Sequence, residues 1–190
     1  MNLKCEILEN VNLKEYNTYR IEATCKYMAL PKSIKEVTEV INYCLHKDVA
    51  YFVLGNGSNV ILDGTFNGIV INMKNLNGAE LVSPTDIIAY SGIMMPKLVK
   101  FAVKNNLQGL EWASGIPGTL GGGIYGNCGA YNDDIYHYLK EIIVLHNGKI
   151  EHIKADKIYH DYRKTFFQGK RQYLIIAAHL SLEPGNSKDS

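Results

Sequence analysis

The 190-residue chain lacks several features that would assign it to a class at once. It has no apolar run near the roughly 18 residues that a membrane-spanning helix needs. Its first residues, MNLKCEILENVNLKEYN, carry charges every few positions and have no apolar core of a secretory signal. An excess of either charge is missing too: 20 Lys and Arg stand against 19 Asp and Glu, a net charge of +1. That balance gives no electrostatic footing for nucleic acid or an anionic membrane, and neither partner is expected. The four cysteines, Cys5, Cys25, Cys44 and Cys128, form no CxxC pair and are too scattered for a disulfide scaffold. Reduced thiols, and therefore a cytoplasmic protein, are expected. The six histidines show no H-E-x-x-H or similar spacing, so no metal site is expected.

Catalytic loop signatures are absent as well. A dinucleotide fingerprint would need a third glycine at Val60, after Gly55 and Gly57, at the opening of a helix. A phosphate-binding Walker loop would need lysine where Ile124 follows Gly123. No G-x-S-x-G elbow occurs.

Glycine is what the chain has, and it is unevenly placed. Seven of the 17 glycines fall in the fifteen residues from Gly115 to Gly129. Glycine inside a helix or strand costs roughly 0.5–1 kcal/mol relative to alanine. Either the backbone turns sharply several times here, or something large comes very close to it. A second glycine loop, Leu54-Gly-Asn-Gly-Ser-Asn59, lies between two strand-like runs. Its exposed N–H groups and serine hydroxyl can form an anion-binding concavity without a lysine. Two such loops suggest a ligand with a long phosphate bridge lying against bare backbone. Thirteen tyrosines against five phenylalanines suit pocket walls, and partly buried core tyrosines equally well.

The remaining pattern is α+β, with antiparallel pairing expected in the second half. Ser33 and Glu36 form a capping box for a helix running to Lys47, and a second helix is expected over Pro96 to Asn106. Strands are expected at Val49–Leu54, Val60–Leu62, Ile69–Ile71, Ile87–Tyr90 and Tyr173–Leu182, with a turn at Asp63-Gly64. Asn147-Gly148 between two β-rich runs signals a hairpin.

The segments LGNGSN at 54–59, GLEWASGIPGTLGG at 109–122 and NCGAY at 127–131 resemble the flavin-binding signatures of the UDP-N-acetylenolpyruvoylglucosamine reductase (MurB) family. NTYRI at 17–21, PKSIKEV at 31–37, Tyr162-Arg163 and a final LEPG extend the resemblance in order from about Asn17 to Gly185. It implies a vanillyl-alcohol-oxidase/PCMH-type FAD-binding fold of two α+β lobes gripping FAD between them. Their expected bounds are 1–75 and 76–184, with 185–190 a polar tail or the start of a linker. In that family the glycine loops let backbone N–H groups approach the cofactor. Carried over, Leu54, Gly55, Asn56, Gly57, Ser58 and Asn59 would cradle the pyrophosphate. Ser114, Gly115, Ile116, Pro117, Gly118, Thr119, Gly121, Gly122 and Gly123, with Asn127, Gly129, Ala130 and Tyr131, would line the flavin.

The resemblance also implies chemistry. The family reduces an enolpyruvyl ether in peptidoglycan precursor synthesis, with NADPH as electron donor and a UDP-sugar as substrate. Arg163 matches the arginine that steadies negative charge on the substrate carboxylate, and Tyr162 precedes it as usual. The plainer alternative pairs Arg163 with a surface carboxylate such as Asp161, or with a phosphate. Complete reductases have a third domain carrying a proton-donating serine and an assisting glutamate, and no residue here matches either. Departures from the family pattern include Glu22-Ala23, Ser91-Gly92-Ile93 and Gly126. Two readings follow: the FAD-binding part of a reductase, or a stand-alone FAD-binding module or divergent oxidoreductase. A face left by an absent third domain is expected to favour self-association or a partner chain.

Overall fold

The structure, a computed structural model, describes residues 3–185; the expected polar tail lies outside them from residue 186 onward. The chain divides into two units, Met1–Leu76 and Asn77–Ser190.

In the N-terminal unit β1 (Glu6–Asn12), β2 (Thr24–Leu30), β3 (Tyr51–Leu54) and β4 (Thr65–Asn72) form a sheet in the order β1-β2-β4-β3. β1 is antiparallel to β2, whereas β2 and β3 both run parallel to β4. Parallel strands need a crossover, and α1 (Ile34–Lys47) carries the chain from β2 to β3. Its start follows from the sequence. Ser33 Oγ accepts the Glu36 N–H at 3.2 Å, and the Glu36 carboxylate accepts the Lys32 N–H at 2.7 Å. Val37, Val40, Ile41 and Cys44 recur at helical spacing and are buried. Burying each aliphatic side chain in full stabilises by about 1.5–3 kcal/mol.

The strand expected at Val60–Leu62 does not form. Val60 and Leu62 pack by their side chains against a small core of Leu13, Met28, Leu54 and Val70, while Ile61 faces out at 81% exposure. The segment meets that core without joining the sheet. The turn at Asp63-Gly64 does occur, with Gly64 at φ 62° and its carbonyl accepting the Thr24 N–H at 2.9 Å.

The C-terminal unit begins with β5 (Ala79–Leu81), β6 (Asp86–Tyr90), α2 (Met95–Lys104) and the short β7 (Leu107–Gln108). Pro96 lies in the first turn of α2, where a missing N–H does no harm. Then come α3 (Leu120–Gly126), β8 (Gly129–Ala130), β9 (Asp133–Asp134), β10 (Leu139–His146) and β11 (Lys149–Lys154). The last elements are β12 (His160–Asp161), β13 (Lys164–Thr165), β14 (Tyr173–Ser181) and β15 (Glu183–Pro184). The main sheet runs β11-β10-β14-β6-β5 and is antiparallel throughout. Asn147 and Gly148, both at positive φ, make the tight hairpin turn between β10 and β11. Leu98 and Val99 of α2, with Leu120 and Ile124 of α3, join Ile87, Ala89, Ile142, Val144, Ala178 and Leu180 of the sheet in one core.

The helix α3 is the departure from sequence expectation. Four of its seven residues are glycine, each about 1 kcal/mol worse than alanine in a helix interior. Tertiary contacts override that cost. Leu120 and Ile124 are fully buried, Thr119 caps the start, and Asn127 closes the end at φ 44°.

Candidate functional site

The first candidate site lies in the N-terminal unit, at the carboxyl ends of the parallel strands β3 and β4. In sheets with parallel strands, ligands gather beyond these ends. Leu54 ends β3 in the core, and the 55–59 loop follows. Gly57 has φ 65°, and a Cβ there would lie 2.2 Å from the Tyr16 carbonyl oxygen, so only glycine fits. The loop is held by the Thr18 N–H, which donates to Gly57 O at 3.2 Å. Thr18 belongs to a segment knotted by Asn17, whose buried amide donates to Leu13 O and Ile21 O and accepts from Ile21 N–H.

This arrangement faces loop carbonyl Gly57 O towards the protein. Among the described residues, the N–H groups of Gly57, Ser58 and Asn59 donate to no backbone carbonyl. A cavity of about 300 Å³ opens beside them, lined by Glu15, Asn17, Thr18, Arg20 and Asn56. Arg20 pairs with Glu15 across it. Close by, Asn72 ends β4 opposite Leu54, is 3% exposed, and has a side-chain N–H₂ without a partner. The Asn72 N–H₂ and the N–H groups of Gly57, Ser58 and Asn59 are donors, which suits an anion.

The second candidate site lies in the C-terminal unit and is built differently. Segment 91–95 pairs with segment 118–121: Leu120 N–H donates to Ile93 O at 2.8 Å, Gly121 N–H to Ser91 O at 2.8 Å, and Met95 N–H to Gly118 O at 3.0 Å. The Thr119 hydroxyl accepts the Gly122 N–H at 3.5 Å. The first N–H groups of α3 are therefore engaged within the chain. Several glycines here make room for the chain itself. A Cβ at Gly121 would lie 2.7 Å from Ser91 Cβ, one at Gly123 2.7 Å from Cys128 Sγ, and one at Gly129 2.3 Å from Asp133 O. By contrast, a Cβ at Gly115 or Gly126 would meet nothing within 4 Å, and one at Gly122 only the Thr119 hydroxyl at 3.5 Å. Gly115 and Gly126 leave bare backbone facing open space, and Gly122 has only that hydroxyl in contact.

Beyond α3 the chain holds the Tyr162-Arg163 turn. β12 and β13 form a two-residue hairpin with Arg163 at φ 57°, a conformation that glycine or asparagine would take more easily. Three hydrogen bonds fasten this hairpin to residues 125–129. Thr165 Oγ1 donates to Tyr125 O at 2.7 Å, Asn127 Nδ2 to Asp161 O at 3.1 Å, and Arg163 Nη2 to Gly129 O at 2.8 Å. The Asp161 carboxylate accepts the Tyr162 N–H at 2.7 Å. Among the described residues Arg163 forms no ion pair with Asp161 or any other carboxylate. Its guanidinium stands 5.4 Å from the Tyr162 ring centroid, and that ring is 81% exposed.

The other expected residues spread around this frame. Ser114 and Gly115 close an exposed 3₁₀ turn, and Ile116 packs on the core. Ala130 pairs with Asp133, and Tyr131 projects at 90% exposure from a backbone at φ 55°. Cys128 is no nucleophile: burial pushes its thiol up to about 12, against a weaker pull from Arg163. Asn127 emerges as a brace for the arginine turn, its amide also reaching Asp134 Oδ2 at 3.4 Å. Its place in NCGAY marks the position but not this role.

Known proteins resemble this chain over most of its length. A UDP-N-acetylenolpyruvoylglucosamine reductase of Clostridium novyi is 34% identical over 185 residues, covering 96% of this chain and 60% of the relative. One from Clostridium tetani is 35% identical over 182 residues, covering 95% and 59%. The chain thus spans about 60% of the length of these curated relatives. In fold, the crystal structure of the Thermus caldophilus UDP-N-acetylenolpyruvylglucosamine reductase (MurB) superposes with a TM-score of 0.75 at 23% identity, over 98% of this chain and 65% of that one. An alkyldihydroxyacetonephosphate synthase superposes at 0.68 with 18% identity, over 87% and 33%. The α+β, PCMH-type FAD-binding architecture is therefore shared. The family model described as FAD binding domain matches residues 25–154, more than half of the sequence, and the chain belongs to that FAD-binding domain family.

Proposed function

We propose that this chain is the FAD-holding part of a reductase acting on the enolpyruvyl ether of a UDP-sugar, with NADPH as electron donor. The observation that carries the reading is Arg163, which among the described residues has no ion-pair partner and is fixed at a costly backbone angle by its hydrogen bond to Gly129 O. Residues held in disfavoured conformations gather where function requires them. A surface arginine with only a solubilising role would need neither the angle nor the brace.

The residues present fit the cofactor. The 55–59 loop offers N–H groups and a tight turn to the pyrophosphate, and Gly115, Gly122 and Gly126 offer bare backbone to the ring system. Bound FAD would supply hydride transfer, which no side chain of this protein can perform. Arg163 would stabilise the negative charge that gathers on the substrate carboxylate as the double bond is saturated. Its charge is permanent, and its planar fork matches a carboxylate. Tyr162, highly exposed beside Arg163, would flank the same substrate, and Tyr131 would line the flavin. Among the described residues no helix is long and apolar enough to cross a membrane. The four cysteines are free and buried, in keeping with a cytoplasmic setting. Self-association or a partner chain on the tyrosine-rich surface is the subordinate reading, visible as a dimer in size-exclusion chromatography.

The test is a visible spectrum of the protein titrated with FAD, then with NADPH without oxygen. A perturbed flavin spectrum that bleaches on NADPH addition is expected. Bound flavin that stays oxidised would leave only a flavin-binding module, and no binding would overturn the proposal.

A further inference from the structure

Asn72 occupies a position that its surroundings make unusual for a polar residue. It ends β4 two residues beyond Val70, hence on the same face of the sheet, and its partner across the ladder is Leu54. Val70 and Leu54 both belong to the apolar core with Leu13, Ala23, Cys25 and Met28. Asn72 thus extends an apolar stripe past that core, to the strand end where the 55–59 loop begins. At 3% exposure a leucine or valine would be the ordinary occupant.

One half of its amide is accounted for. Asn72 Oδ1 accepts the Lys74 N–H at 3.0 Å and caps the short 3₁₀ turn Met73–Asn75. That bond fixes the amide and leaves Nδ2 as a buried donor with no partner. Serine or threonine could cap such a turn and leave no N–H unpaired, whereas aspartate would bury a charge. Capping therefore does not explain why the residue is asparagine. Buried polar groups without partners are rare in folded proteins, and an external acceptor removes the penalty.

We propose that the Asn72 side-chain amide donates a hydrogen bond to the diphosphate bound at the 55–59 loop, adding a buried side-chain donor to the loop's N–H groups. This rests on the FAD reading for the identity of the ligand, while its diphosphate chemistry stands on the donors themselves. Gly57, Ser58 and Asn59 contribute N–H groups free of backbone acceptors, and Asn72 contributes a fourth from the adjacent strand end. All four are donors, and none carries a charge. The site therefore binds an anion through fixed dipoles, and a carboxylate at position 72 would oppose it.

The experiment compares the wild type with Asn72→Asp, which keeps the cap, and Asn72→Ser, which keeps a smaller one. Binding of FAD and of riboflavin, which lacks phosphate, is followed by fluorescence. Melting temperature is recorded with and without inorganic pyrophosphate. The expected result is an FAD Kd raised about tenfold or more in Asn72→Asp and less in Asn72→Ser. Riboflavin binding stays close to wild type in both variants. The ligand-free melting temperature stays close to wild type in Asn72→Ser and falls in Asn72→Asp, where a carboxylate is buried. FAD binding unchanged in both variants, or FAD and riboflavin weakened alike, would overturn the proposal. A wild type that ignores FAD yet is stabilised by pyrophosphate, with that stabilisation lost in Asn72→Asp, would remove the FAD reading and leave the diphosphate donor standing. A wild type indifferent to both ligands would overturn both.

Discussion

A Cβ added at Gly57 would lie 2.2 Å from Tyr16 O, and one added at Gly129 would lie 2.3 Å from Asp133 O. Both glycines are required by the chain's own packing, yet the N–H groups around them are used in opposite ways. Among the described residues the N–H groups of Gly57, Ser58 and Asn59 donate to no backbone carbonyl, whereas those at the start of α3, upstream of Gly129, are tied to Ser91, Ile93 and Thr119. The first stretch uses glycine to turn donors outward. The second uses it mainly to let a short helix and a hairpin close on their neighbours, while Gly115 and Gly126 face open space. A glycine-rich composition therefore covers two physical needs, and they respond differently to substitution.

The largest expected effect comes from Gly57→Ala, which combines a positive φ with a backbone clash. It should destabilise the protein by about 3 kcal/mol or more and abolish FAD binding. Gly129→Ala, with a comparable clash but no outward donors at stake, should lower the denaturation midpoint by a similar margin. Its residual folded fraction should still bind FAD when titrated at low temperature. Equal loss of binding at matched stability would break the distinction.

Next in size is the arginine turn. Arg163→Gly and Arg163→Ala both remove the hydrogen bond to Gly129 O, but only glycine relieves the φ of 57°. The glycine variant should be about 1 kcal/mol more stable than the alanine variant in urea unfolding. In a form able to turn over substrate, both should lose activity alike. Different activities with equal stabilities would show that the backbone angle is not held against strain.

The smallest effect sharpens the comparison most. Gly126 sits at the end of α3 with open space where a Cβ would go. Gly126→Ala should raise stability by about 0.5–1 kcal/mol. FAD affinity should fall in the same variant if the flavin covers that backbone. A gain in stability with unchanged affinity would remove Gly126 from the ring-facing surface.

These distinctions were only partly legible in the residues. The Ser33–Glu36 capping box located α1 because the cap and the apolar stripe are local signals. Asn147-Gly148 located its hairpin for the same reason. By contrast α3 was hidden, since its glycines argue against a helix and the forces that form it come from Ser91 and Ile93, far away in sequence. The strands β1 and β2 carry no clear strand signal either, because polar and charged residues interrupt their apolar positions. The run Val60–Leu62 looked like a strand because three apolar residues carry no period that separates pairing from side-chain packing. Among candidate site residues, the loop at 55–59 and Arg163 stood out by motif. Asn72 did not, because an asparagine after Ile-Val-Ile reads only as the end of a strand until its burial is known.

The hydrogen bonds Thr165–Tyr125, Asn127–Asp161 and Arg163–Gly129 have a mechanical consequence. Three attachment points leave a short hairpin little freedom to pivot on its support. Whatever shifts the backbone at residues 125–129 must carry the guanidinium with it, as a lever moves with its mount. A mutation that loosens this support would misplace the cation without touching Arg163, and the fault would appear as poor alignment rather than lost charge.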